Sequence, residues 1–171
     1  KVFGEAPRFD FGTYTFIADY LPHVSGDGME HRNSTIISGT RGLYEADFSQ
    51  LGTLSHEFFH AWNVRRIRPA GLLPYDIAQE KYTRLLWHFE GVTSYYEVIL
   101  LARAGLWGRG RALEALAERI GQLLAVPGRR EMSLADASLA AWVKCYRPDE
   151  NSANAAVSYY ALDVNNSSGG T

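Results

Sequence analysis

From Thr13 to Asp19 the chain is rich in aromatic and β-branched residues, and Asn33 to Ser38 is similar. Both stretches are predicted to be strands, flanking a glycine-containing loop over Ser25 to Met29. From about Ser49 the period lengthens. Leu51, Leu54, Phe58, Ala61 and Trp62 recur at helical spacing, predicting a helix that runs on to the arginine-rich stretch ending in Pro69. A second helix is predicted over about Glu80 to Ala104, with Gly105 as its stop. Leu113, Leu116, Ala117, Ile120, Leu123 and Leu124 predict a third, an amphipathic core helix ending before Pro127-Gly128. A fourth is expected to start at Ser133, where Asp136 three residues on resembles a capping box. The polar, glycine-rich tail from Asn165 to Thr171 reads as a frayed end or linker. Strands first and helices afterwards, with no internal repeat, give an α+β architecture, a small N-terminal sheet followed by a mainly helical part.

The 171 residues are 46% hydrophobic, enough for one sizeable core, so residues 1–171 are expected to form a single domain. A formal charge of -2 without any basic block argues against nucleic acid as a partner. No run of about 18 apolar residues and no secretion-signal pattern are present, so no membrane insertion is expected and the chain reads as soluble. Cytoplasm and periplasm stay equally open, and the oligomeric state is unknown. The single cysteine, Cys145, allows no internal disulfide and is read as a small buried residue.

The chemistry concentrates in His56-Glu57-Phe58-Phe59-His60, an H-E-x-x-H motif. Four residues of helix separate the imidazoles by only about 40° of rotation, so both can reach one ion. Glu57, about 100° from His56, can meet a water at that ion without being a ligand, which is where a general base belongs. Leu51, Leu54, Phe58, Ala61 and Trp62 point away from His56, predicting a helix with core behind and chemistry in front.

A catalytic zinc ion takes three protein ligands and keeps a fourth position open. Glu80, His88, Glu90 and Glu97 are the downstream candidates for the third. Glu90 is favoured, because the adjacent Gly91 would let its helix come close to the first. His88 points about 160° away from Glu90 on an ideal helix and reads as a packed or supporting residue. Glu97, two turns from Glu90 on a similar face, could orient a ligand or a substrate amine. A purely structural zinc site, which recruits four ligands and often cysteines, does not suit a chain with one cysteine.

The stretch from Leu54 to Pro69, LSHEFFHAWNVRRIRP, resembles the zinc helix of the glycyl aminopeptidases, gluzincin metallopeptidases. The resemblance continues through Tyr82-Thr83 and Leu86 to Gly91, with Thr93, Tyr95 and Tyr96, where that family places its glutamate ligand, again Glu90. Gly28 to Thr35 is similar to the family's motif before an edge strand, and implies Glu30 as an anionic anchor for the substrate's N-terminal amine. Pro148 to Asn154 and Val157 to Tyr160 match a later motif, implying Tyr159 or Tyr160 as a donor to the tetrahedral intermediate. After Tyr160 the sequence departs from the family, whose helix of small residues with lysine and glycine is replaced by Ala161-Leu-Asp-Val.

The resemblance implies a thermolysin-like catalytic domain, and flanking N-terminal β-rich and C-terminal PDZ domains that 171 residues cannot hold. It implies one Zn²⁺ per chain on His56, His60 and Glu90, with Glu57 as base and a peptide as substrate. The family suggests a preference for small N-terminal residues such as glycine or alanine; on chemical grounds Glu97 could join Glu30 in holding the α-amine, and His31 is a weaker alternative oxyanion donor. An endopeptidase with an open cleft, and a peptide-binding zinc module with little turnover, are the alternatives.

Overall fold

The computed structural model describes residues 8–24, 26–42, 48, 50–74 and 76–145, the side chains of Lys144 and Cys145 excepted. The expected α+β architecture is found: a small sheet, then helices. The chain divides into two compact units, Lys1–Ile67 with Tyr96–Gly108, and Arg68–Tyr95 with Arg109–Thr171.

In the first unit, strands β1 (Thr15–Tyr20), β2 (Asp27–Glu30) and β3 (Ser34–Gly39) form a sheet of order β1-β3-β2. β1 runs parallel to β3 with Phe16 opposite Thr35, and β2 antiparallel with Gly28 opposite Ile37. β3 alternates as a half-covered strand must: Thr35, Ile37 and Gly39 are buried, Ile36 is exposed. The stretch read as a loop over Ser25 to Met29 is a correction, because most of it is β2. Four residues with a glycine and two acids carry almost no strand signal, and it is pairing with β3 that satisfies their backbone.

Helix α1 (Leu51–Phe59) packs on β2 and β3. It stops at Phe59, before the arginine-rich stretch that begins at Arg65 is reached. Beyond it the bonds tighten, Ala61 N donating to Phe58 O and Trp62 N to Phe59 O, while the Arg66 guanidinium donates to the Ala61 carbonyl and takes up an acceptor that a helix would have used. Of the five apolar residues predicted behind the helix, Ala61 is fully buried and Leu51, Leu54, Phe58 and Trp62 are half-buried. Gly52, His56, Glu57 and Phe59 are the buried residues of α1. Strand β2 lies against Glu57, whose Oε1 a Cβ on Gly28 would meet. Phe58 and Trp62 join a layer of rings with Phe9, Tyr14 and Phe16, centroids 5.0 to 6.2 Å apart.

Helix α2 (Leu86–Ala104) starts six residues later than Glu80, after a local bond from Leu85 N to the Thr83 hydroxyl at 3.2 Å, and ends at Gly105 with φ +76° as expected. In the second unit, α3 (Arg109–Ala125) buries Ala112 and Arg119 and half-buries Leu116 and Leu123, while Leu113, Ala117, Ile120 and Leu124 are exposed. The stripe expected in the core thus splits, because a helix with apolar residues on more than one face does not reveal which face packs. α4 (Leu134–Leu139) begins as predicted, the Ser133 hydroxyl accepting from Asp136 N at 3.1 Å. Ala137 and Ala141 form a core with Leu86, Trp87, Leu123, Met132 and Leu134. No helix among the described residues is long and apolar enough to cross a membrane.

Candidate metal centre

Helix α1 places the motif as its spacing requires. The rings of His56 and His60 stand 4.7 Å apart at 80°, and both are buried, 6% and 2% exposed. One donor atom from each of His56, His60 and Glu90 lies within 4.8 Å of the others, so these three residues could hold a metal ion.

What surrounds the imidazoles fits that use. His60 Nδ1 lies 2.8 Å from the Asn63 carbonyl, which can only accept, so Nδ1 carries the proton and Nε2 keeps a lone pair. His56 Nδ1 lies 3.5 Å from Glu97 Oε2, a buried carboxylate at ion-pair distance and longer than a well-formed hydrogen bond. Two imidazoles and one carboxylate suit a borderline-soft divalent cation with a position left open. Glu97 can come so near because residue 52 is glycine: a Cβ there would stand 2.6 Å from Glu97 Oε1. The Ser55 hydroxyl donates to the Glu97 carbonyl at 3.2 Å and ties the same turns together.

Glu57 is 6% exposed and lies against strand β2, where a Cβ on Gly28 would meet its Oε1 at 2.4 Å. The Tyr14 hydroxyl makes a long 3.4 Å bond to the Glu57 carbonyl. Burial pushes the Tyr14 phenol well above its usual range, and the charges of Glu57 and Glu30 push it further, so it stays a neutral donor.

Glu30, at the end of β2, is ion-paired: Arg65 Nη2 lies 2.8 Å from its Oε1 and also donates to its carbonyl. His31 is exposed in the β2–β3 turn, its Nδ1 3.2 Å from the Met29 carbonyl. His88, expected to be packed, is exposed beside the rings of Trp87 and Phe89. Glu80 is exposed and accepts from the Tyr82 hydroxyl. Tyr159 and Tyr160, the motif from Pro148 to Asn154 and the tail lie outside the described residues, as does the side chain of Cys145. Sequence reasoning missed Asn63, Arg65, Gly28 and Gly52. Gly28, Asn63 and Arg65 lie within stretches that resemble the family's motifs, and Gly52 is a glycine inside a helix where it is ordinarily unfavourable, one turn before the first histidine.

The family model of the M61 glycyl aminopeptidases matches residues 49–163, more than half of the chain. The chain belongs to the M61 glycyl aminopeptidase family. It is also similar to the crystal structure of an aminopeptidase N family protein from Idiomarina loihiensis, with 33% identity and a TM-score of 0.79, over 90% of this chain and 27% of that one. The chain therefore spans about a quarter of the length of that solved relative. No curated protein matches it.

Proposed function

We propose that this chain is the catalytic part of a zinc-dependent aminopeptidase that removes small N-terminal residues, glycine or alanine, from peptides. The observation that carries this reading is the pair of buried imidazoles at the end of α1, His56 in its last turn and His60 at its C-cap, whose Nδ1 atoms each face an oxygen, with buried Glu57 beside them. His56, His60 and Glu90 hold one zinc ion. When bound, it supplies Lewis-acid polarisation of the scissile carbonyl and stabilises charge developing on its oxygen. Glu57 takes the proton of the attacking water on its carboxylate and passes it to the leaving amine. Tyr159 or Tyr160 donates to the developing oxyanion, a role worth about 3 to 4 kcal/mol, with His31 as a weaker donor. Glu30 anchors the α-amine. The domain is thermolysin-like, a single catalytic domain that in the full-length protein lies between an N-terminal β-rich domain and a C-terminal PDZ domain.

The Arg65–Glu30 ion pair favours a second reading. A carboxylate already neutralised attracts an ammonium group less, and an endopeptidase with an open cleft needs no amine anchor. One experiment addresses both: zinc content by elemental analysis, with hydrolysis of glycyl and alanyl substrates, free and N-acetylated, by wild type and Glu57→Gln. About one zinc per chain in both proteins, with turnover lost in the variant by about 10² to 10⁴-fold, is the expected result. Equal cleavage of acetylated substrates would replace the aminopeptidase reading with the endopeptidase one, and a folded protein without metal would end both.

A further inference from the structure

We infer that Glu97 is a positioning residue of this centre: it fixes the tautomer and ring orientation of His56, and Gly52 is the space that lets it do so. The inference rests on the metal reading above and deepens it, and it takes Glu97 away from the substrate amine.

Three contacts between Glu97 and neighbouring turns of α1 converge. Glu97 Oε2 lies 3.5 Å from His56 Nδ1, and both side chains are nearly fully buried, at 6% and 7% exposure. Gly52, one turn before His56, is where the carboxylate's other oxygen comes closest, 2.6 Å from where a Cβ would sit. Any larger residue there drives Oε1 out, and Oε2 with it. The Ser55 hydroxyl holds the Glu97 backbone at 3.2 Å, so the carboxylate is located from both ends.

The chemistry follows from what each atom can donate. Neutral imidazole carries one N–H, on Nδ1 or Nε2, and an ionised carboxylate can only accept. With Glu97 against Nδ1, the N–H belongs on Nδ1 and the lone pair on Nε2. His60 reaches the same state through the Asn63 carbonyl at 2.8 Å. The two histidines thus face different groups, a carbonyl three residues along the chain for His60 and a carboxylate from another helix for His56. Negative charge beside His56 also makes its Nε2 the stronger donor.

An ammonium anchor has to meet a substrate, whereas Glu97 is 5% exposed and faces a histidine ring and the backbone of α1. A substrate-binding role predicts a changed KM; a positioning role predicts changed metal affinity.

The test uses wild type, Glu97→Gln, Glu97→Leu and Gly52→Ala, with Glu118→Gln on the exposed side of α3 as a control. Three quantities are measured: the tautomer of His56 in metal-free protein by ¹⁵N NMR where imidazole is neutral, zinc affinity by competition with a chromogenic chelator, and KM and kcat on a glycyl substrate. The expected result is Nδ1–H in wild type, a shift toward Nε2–H in Glu97→Leu, and zinc affinity weakened about 10 to 100-fold in Glu97→Leu and Gly52→Ala, with KM little changed. Glu97→Gln, which keeps an acceptor, should fall in between. Gly52→Ala guards against a folding artefact, since alanine favours helix over glycine and yet must lose affinity. Nε2–H in the wild type, or unaltered affinity with a raised KM in the Glu97 variants, would overturn the inference. Nδ1–H in a wild type that takes up no zinc would support the His56–Glu97 geometry and defeat the metal reading alone.

Discussion

Gly28→Ala is the substitution whose consequence follows most directly from the coordinates. A Cβ at position 28 would lie 2.4 Å from Glu57 Oε1 and 2.5 Å from both its Cδ and Cγ. Carbon atoms in contact stay about 3.5 to 4.0 Å apart, so the Glu57 side chain or β2 must give way by about 1 Å. Glu57 is 6% exposed and cannot simply swing into solvent. A misplacement of about 1 Å in a reacting group costs about 100-fold in rate. Overpacking costs about 1 to 3 kcal/mol, offset by about 0.4 to 1 kcal/mol from the reduced freedom of the unfolded chain. The net loss, at most about 2.6 kcal/mol, lowers Tm by at most about 10 °C. The histidines keep their Asn63 and Glu97 partners, so zinc should remain bound. Steady-state hydrolysis of a glycyl substrate, elemental zinc and a thermal melt on one preparation give all three numbers. A variant within about threefold of wild-type kcat would refute the placement of Glu57 against β2, and loss of zinc together with activity would show that the damage lies elsewhere.

Two further expectations concern the scaffold. Hydrogen bonds from Arg32 and then Asn33 hold the exposed Asp10 carboxyl at about 2, below its usual 3.8. A depressed folded pKa stabilises above 3.8 and is lost as pH falls through the folded value, so the stability gap between wild type and Asp10→Asn should close between about pH 4 and pH 2; a gap independent of pH would refute the network. On α3, Leu116 is half-buried and Leu113 is 56% exposed. Leu116→Ala should therefore cost about 1 to 2 kcal/mol in chemical denaturation and Leu113→Ala less than about 0.5 kcal/mol, and the reverse order would mean that the helix packs by its other face.

The features legible in the sequence are those that a few consecutive residues decide. His56 and His60 share a face because a helix turns about 100° per residue, Ser133 caps α4 because its hydroxyl reaches an amide three residues on, and Gly105 ends α2 because it tolerates positive φ. Beta-branched and aromatic residues announced β1 and β3 in the same local way. Strand β2 did not announce itself, since its stability comes from the strand it pairs with. Nor did the end of α1, where Arg66 takes over a helical carbonyl from five residues away.

Which face of each helix is buried, and what each acid touches, belongs to the tertiary structure. Alternation and periodicity say that a side chain has neighbours on its own element, not what lies opposite. Glu30 and Glu97 look alike in the sequence, two acids upstream and downstream of a motif. Packing puts one against Arg65 and the other against His56. Gly28 and Gly52 likewise look like ordinary glycines until Glu57 and Glu97 are found to lie where their side chains would be. The sequence by itself determined the donors and their spacing, because these depend on covalent geometry over a single turn. Only the folded chain decided which of its acids stand beside those donors, because that depends on contacts between segments some 30 to 45 residues apart, made wherever close packing leaves room.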